Sequence, residues 1–508
     1  MFKKILSVGG WTLVSRLTGF IRDVVIAAVM GIGPIADAFF VAFRIPNHFR
    51  AIFGEGAFNN AFLPTYAGVL EKEKEPAAHS FASRVSTLML IVQIAILALA
   101  FLAMPVVVDL LAPGFSKDSA KYDFAVTFTR ITFPYLLFIT LVTILSGVLN
   151  AHERFASAAA APVLLNVSLV AALSIAFLFP NAGYAAAWGV TISGVLQLLL
   201  VWLDAKRLGI APGLETPRFD PAMKQFFKTL GPAVIGSAGV QLALFADTII
   251  ASFLPTGAVS SLYYADRIYQ LPLGVIGIAA GTVLLPEMSR RIAAGDVDGA
   301  HGAQNRAVSL TLALAAPFLV AFVTLPDLIM AALFQRGAFN TAAAQSAGAV
   351  LAAYAIGLPA AVLIRSALAS FYSRADTMTP LIASLTAVVF NIIVKIMLMD
   401  SYGVVGLALG TAVSSWINLG LLFYLAHRRG WTDPSRSLFR ACAAIAVASI
   451  LLALFAWFAP APIARWTDAL PVWRTETLLA VVGAGGALIY GASLLAGLKI
   501  AGIRLSRR

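Results

Sequence analysis

The chain is written in long apolar runs separated by short polar breaks, and most runs are too long for strands. A membrane-spanning helix takes about 20 predominantly apolar residues. On that measure the pattern predicts fourteen spans, at about residues 6 to 30, 34 to 68, 80 to 111, 124 to 149, 158 to 180, 183 to 203, 225 to 254, 258 to 288, 307 to 333, 342 to 371, 379 to 399, 403 to 426, 438 to 459 and 475 to 498. The second run is too long for one straight span, and Pro46 interrupts its hydrogen-bond ladder, which predicts a bend. The expected fold class is an all-α polytopic membrane protein.

Composition agrees. Of the 508 residues, 60% are hydrophobic and 12% charged, which excludes a water-soluble globule. The single cysteine, Cys442, excludes a disulfide framework and a Cys-based metal cluster. The histidines at 48, 79, 152, 301 and 427 show no metal-ligand spacing, and Walker A, H-E-x-x-H and G-x-S-x-G motifs are missing. Neither enzymatic chemistry nor a cofactor or metal is expected.

An internal repeat organises the runs. "DVVIAAVMG" from Asp23 begins like "DTIIASFLP" from Asp247, and "AFLPTYAGV" at Ala61 matches "VLLPEMSRR" at Val283. "APGFSKD" is similar to "FQRGAFN" near Phe339, and "AAWGVTISGVLQLLL" from Ala186 to "LALGTAVSSWINLGL" from Leu407. The offset stays at about 221 to 224 residues, so six consecutive spans recur in the same orientation. That predicts two six-helix lobes related by an axis along the membrane normal, with a cavity between them. Residues 1–203 form the expected N-terminal lobe, 204–224 a cytoplasmic linker, 225–427 the second lobe, and 428–508 two additional helices and a cytoplasmic tail.

The net charge of +12 raises the question of nucleic acid, and its placement answers it. Lys3, Lys4, Lys499, Arg504, Arg507 and Arg508 lie on the side of both termini, where the loops bring the basic residues to 22. The opposite loops hold five: Lys117, Lys121, Arg336, Arg465 and Arg474. The asymmetry puts both termini in the cytoplasm and accounts for the charge without nucleic acid. Arg16 and Arg22 interrupt what would be the apolar core of a cleavable signal, so the first segment is expected to remain a span.

Nine basic residues remain within or at the ends of spans: Arg16, Arg22, Arg44, Arg50, Arg84, Arg130, Arg267, Arg365 and Lys395. Arg84 and Arg130 sit close enough to span ends to snorkel, and Arg365 and Lys395 fit either reading. An arginine at mid-span costs about 2.5 to 3.5 kcal/mol on insertion scales, so Arg16, Arg22, Arg44, Arg50 and Arg267 need protein or water around them. Asp23, Asp37, Glu55, Asp247 and Asp266 supply some pairing, but the cationic excess points to a water-filled cavity for an anionic substrate. Asp37, Arg44, His48 and Glu55 fall within one narrow sector of an ideal helix. Glycines at 31, 33, 54 and 56 are candidate hinges, for which small-residue packing is an equal account; the pairs starting at Gly277 and Gly406 read best as packing. Asp247, with no basic neighbour in sequence, is a candidate coupling-ion or proton site, and a pair with a cation of another span explains it as well.

"SRLTGFIRDVVIAAVMGIGPIADAFFVAFRIPNHFRAIFGEGAFNNAFLP", from Ser15 to Pro64, resembles the N-terminal signature of the MurJ (MviN) lipid II flippases of the multidrug/oligosaccharidyl-lipid/polysaccharide exporter superfamily. "SSLYYADRIYQLPLGVIGIAAGTVLLP" from Ser260 and "FYSRADTMTP" from Phe371 resemble the signatures of the second half. The resemblance covers essentially the whole chain. It implies alternating-access transport of the undecaprenyl-pyrophosphate-linked peptidoglycan precursor from the inner to the outer leaflet of the bacterial cytoplasmic (inner) membrane, in the service of cell wall biogenesis and cell shape. It also implies that Arg16, Arg22, Arg50, Arg267 and Asp37 are functional charges, that Arg44 stands where some relatives carry lysine, and that spans thirteen and fourteen hold the lipid tail. Ordinary lipid-facing helices account for those two spans equally well.

The chemistry suits such a substrate. The planar guanidinium fork donates bidentately to pyrophosphate and stays protonated when partly dehydrated. A cation or drug exporter of the same superfamily would want acidic cavity residues, a membrane enzyme a metal or nucleophile, and a scaffold has no use for the buried arginines. Flipping another polyprenyl-linked oligosaccharide is the nearest alternative. Expected partners are lipid II, membrane phospholipids, a coupling ion or the membrane potential, and cell-wall synthesis proteins.

Overall fold

A computed structural model describes residues 2–49, 57–117, 119–467 and 473–503, and every regular element among them is helical. The first compact unit, Met1–Ser260, contains α1 (Phe2–Met30), α2 (Pro34–Phe49), α3 (Ala57–Leu102), α4 (Met104–Leu111), α5 (Ser119–Thr132), α6 (Tyr135–Ala151), α7 (Ala156–Ser174), α8 (Ala182–Arg207) and α9 (Pro221–Ser252). The next helix, α10 (Ala258–Ala293), starts in this unit and continues into the second, Ser261–Arg508. There follow α11 (Val297–Thr324), α12 (Pro326–Phe334), α13 (Thr341–Tyr372), α14 (Met378–Arg428), α15 (Arg436–Phe458), α16 (Pro460–Thr467) and α17 (Arg474–Ile500).

The helix ends follow local chemistry. Gly31, at φ 62°, adopts the left-handed conformation that closes α1. Asp220 accepts from the Met223 amide ahead of Pro221 to open α9, and Asn340 does the same for α13 through the Ala343 amide. Two long helices are broken internally. Lys74 (φ 72°) divides α3, and Gly403 (φ 54°) folds α14 so that Gly406 and Gly410 of its second half lie on Leu398 and Lys395 of its first. The charged stretch 71–76, expected as a break, is helical on both sides of Lys74. The helix likewise runs through Pro46 to Phe49.

Among the described residues, nine helices are long and apolar enough to cross a membrane. The charge-bearing helices α1, α2, α9 and α10 are not in that set, which includes α14 once despite its fold at Gly403. The core of the first unit is an aromatic cluster of Phe58, Phe62, Tyr66, Phe81 and Phe226. In the second unit Val308, Ala360, Leu363, Phe371, Leu419 and Leu422 join α11, α13 and α14. The final pair docks on α11 through Ala316, Val320, Ile445, Ala448 and Leu452, where the Tyr490 hydroxyl donates to the Ala313 carbonyl at 2.7 Å.

Candidate functional site

The N-terminal signature forms a polar lock between α1 and α7. Arg22, only 7% exposed, donates from Nη2 to Asp23 Oδ1 at 2.7 Å and from Nη1 to Asn166 Oδ1 at 3.0 Å, and its guanidinium lies 5.7 Å from the centre of the Phe43 ring. Asn166 donates in turn to the Ser15 carbonyl and the Thr18 hydroxyl, both at 3.0 Å. A methyl group on Gly19 would sit 3.5 Å from Asn166 Nδ2, in ordinary van der Waals contact. Four of the nine signature residues from Ser15 to Asp23 thus address one asparagine, directly or through a guanidinium. Arg16 is exposed and makes no hydrogen bond or ion pair among the described residues. Six residues separate it from Arg22, about 120° around the helix.

The α2 stripe faces the chain between α9 and α10. Asp37, 1% exposed, accepts the Gly257 amide at 2.7 Å, the Ser260 amide at 2.8 Å and the Ser260 hydroxyl at 2.7 Å. These are the amides at the start of α10, so Asp37 caps that helix from across the unit. Seven residues on, Arg44 donates to the Thr248 hydroxyl at 2.6 Å. Asp247, beside Thr248, is half-buried and already engaged by a neighbour. Arg50 and Glu55 lie outside the described residues, as does the His48 side chain.

In the second unit Arg267 is half-buried, with its guanidinium 4.6 Å from the centre of the Tyr263 ring and Nη2 donating to that tyrosine's hydroxyl at 3.1 Å. Arg365 is exposed and lies across the small surface of α10, within 3.1 Å of where a Gly277 side chain would begin. Lys395 is 2% exposed and has a partner.

Three polar features were not evident from the sequence. Arg84 clamps the segment after α8, pairing with Asp220 at 2.5 Å and Glu215 at 3.3 Å. The "FYSRADTMTP" motif forms a clasp between α13 and α14, in which Asp376 accepts the Thr379 amide and hydroxyl and pairs with Arg429 at 2.6 Å, while Arg374 and Arg429 both lie on Trp431. Those donors hold the Asp376 carboxyl below the usual carboxylate range, with the Thr379 amide the largest cause. The third is Asn166, whose only signal was being an amide inside an apolar run. Among the described residues no group of three or more His, Cys, Asp or Glu is placed to hold a metal.

Comparison with known proteins identifies the family. A family model described as lipid II flippase MurJ matches residues 26–473. A curated relative from Rhizobium meliloti, named probable lipid II flippase MurJ, is 42% identical over 85% of this chain and 81% of its own length. The lipid II flippase MurJ of Burkholderia cenocepacia is 34% identical over 99% of both chains. Among solved structures, a lipid II flippase MurJ in an inward closed conformation superposes with a TM-score of 0.78 at 23% identity, covering 97% of this chain and 98% of that one. An inward-facing multidrug transporter of the MATE family gives 0.67 at 16% identity over 82% and 94%, which speaks for the fold alone. A match of this extent and identity means that the chain belongs to the lipid II flippase MurJ family.

Proposed function

We propose that this protein moves lipid II from the inner to the outer leaflet of the bacterial cytoplasmic membrane by alternating access. The carrying observation is the 34% identity over 99% of both chains to a named lipid II flippase, joined to the arginines at Arg16, Arg22, Arg44, Arg50 and Arg267 that its spans carry. In this reading Arg16, Arg22, Arg44, Arg50 and Arg267 are the cations that the pyrophosphate meets. Arg16 is open to it, whereas Arg22 must be shared with Asp23 and Asn166. Asp37 acts by fixing the start of α10, the helix that carries Arg267. Asp247 is the coupling-ion or proton site. The architecture we propose has fourteen spans: two six-helix lobes, 1–203 and 225–427, a cytoplasmic linker at 204–224, and an added pair in 428–508, with both termini cytoplasmic. Cell-wall synthesis proteins are its partners.

The arginines must bind one anion in both access states with comparable strength, because a large preference traps the headgroup on one side. The test is leaflet-resolved flipping of lipid II by purified protein in vesicles, with thermal stability measured alongside. Arg16→Ala and Arg267→Ala are expected to lower flipping at least tenfold while folding persists, and lysine to rescue only in part, since it keeps the charge and loses the fork. Wild-type flipping by both alanine variants overturns the cationic reading.

A further inference from the structure

The segment joining α8 to α9 is extended and fastened along one face of α3. His79 Nε2 bonds the Ala211 carbonyl at 2.9 Å, Ser83 Oγ accepts the Gly213 amide at 2.9 Å, and Thr87 Oγ1 accepts the Glu215 amide at 3.0 Å. Ser80 donates to the Glu215 carboxylate at 2.6 Å, and Arg84 ties down both Glu215 and Asp220. Beside this strap lies a cavity of about 400 Å³, inside the first unit and walled by α3, α6, α8 and the strap at 212–214.

Its lining is almost wholly apolar, with Leu141, Leu145, Val195, Leu199, Trp202 and Leu214 as the main side chains. Several are conspicuously open: Leu214 is 73% exposed, Leu199 46% and Trp202 38%. Such a concave apolar surface is stable beside hydrocarbon and costly beside water. One edge is marked by charge. Lys206 stands one turn beyond Trp202 on the same face of α8, with Nζ 4.6 Å from the centre of that indole ring. Arg207 and Arg218 are exposed nearby in sequence, and the two carboxylates of the strap are already matched by Arg84.

We infer that this cavity binds one acyl chain of an anionic phospholipid, with its phosphate at Lys206 and its chain along Trp202 and Leu199. The inference rests on the reading of the basic loops as cytoplasmic, which assigns the lipid to the inner leaflet, but not on lipid II being the cargo. A bound chain completes the wall that the strap leaves open, and the cation beside the indole selects the headgroup.

The test uses the full chain in nanodiscs of phosphatidylcholine containing increasing fractions of either phosphatidylglycerol or phosphatidylcholine with brominated acyl chains, because bromine quenches an indole on contact. The difference between wild type and Trp202→Phe isolates the signal of Trp202. Half-quenching is expected at a mole fraction about fivefold lower for brominated phosphatidylglycerol than for brominated phosphatidylcholine, the preference that one lysine near an anionic surface supplies. Lys206→Glu should remove that preference, and Val195→Phe, at a 44% exposed position that tolerates bulk, should lower quenching by both lipids. Circular dichroism and thermal unfolding verify that both variants fold. Equal quenching by the two lipids, a preference that survives Lys206→Glu, or displacement by undecaprenyl phosphate at lower mole fraction than by unlabelled phosphatidylglycerol each overturns the inference.

Discussion

Asp37 is a charged side chain only 1% exposed, and it remains there because three donors converge on it. Two are the amides of Gly257, just before α10, and of Ser260 in its first turn, which have no partner within the helix. Asp37→Ala leaves them buried and unpaired, at a cost of about 1–3 kcal/mol. Asp37→Asn keeps an acceptor of the same shape and should retain most of the stability. Thermal unfolding of the two variants in one detergent checks this, and a cap role is refuted if Asp37→Ala unfolds with the wild type. Flipping by the asparagine variant then reports whether the negative charge serves transport beyond capping. The sequence marked Asp37 as functional but not its partners, because they lie about 220 residues away and no periodicity reports a contact between helices. Arg22 is a parallel case. Its cost inside a span was legible from hydropathy, whereas the amide that shares it is 144 residues distant.

At the scale of the element, apolar periodicity located most helices but not the places where they touch or break. The glycines at 406 and 410 read from sequence as small-residue packing, and the structure puts them against Leu398 and Lys395 across the fold at Gly403. The charged run at 71–76 looked like a loop because it is polar, yet Glu and Lys are both good helix formers, and only Lys74 leaves the helical conformation. The tightest small-residue contact between α13 and α14 is at Gly357, where an added Cβ would lie 2.6 Å from the Ala412 backbone. A backbone cannot rotate aside as a side chain can. Gly357→Ala should therefore force the two helices apart and cost about 1–3 kcal/mol as overpacking. Thermal unfolding of purified Gly357→Ala and, as a control, Gly420→Ala, whose Cβ meets nothing within 4 Å, separates this clash from a general effect of alanine. Equal melting of the two variants would discount the contact.

At the scale of the whole molecule, function depends on which faces of the membrane the charges occupy. The proposed fourteen spans put twenty-two basic loop and terminal residues on one side against five on the other, and loop lysines and arginines orient a polytopic chain as it inserts. The strap gives this bias a structural anchor. Lys206, Arg207 and Arg218 lie on or beside the segment that Arg84 and its neighbours hold to α3, so this basic patch shares one face with the strap. If the patch is cytoplasmic, the opposite ends of the same helices, with Lys117 between α4 and α5, are periplasmic. Single cysteines at Lys117 and at the exposed Arg207, in a Cys442→Ser background, read this out with a membrane-impermeant maleimide on intact cells stripped of outer membrane. Lys117→Cys should label before lysis and Arg207→Cys only after it. The reverse order would invert the protein, put the proposed phospholipid site in the outer leaflet, and require lipid II to meet the arginines first from the periplasmic side.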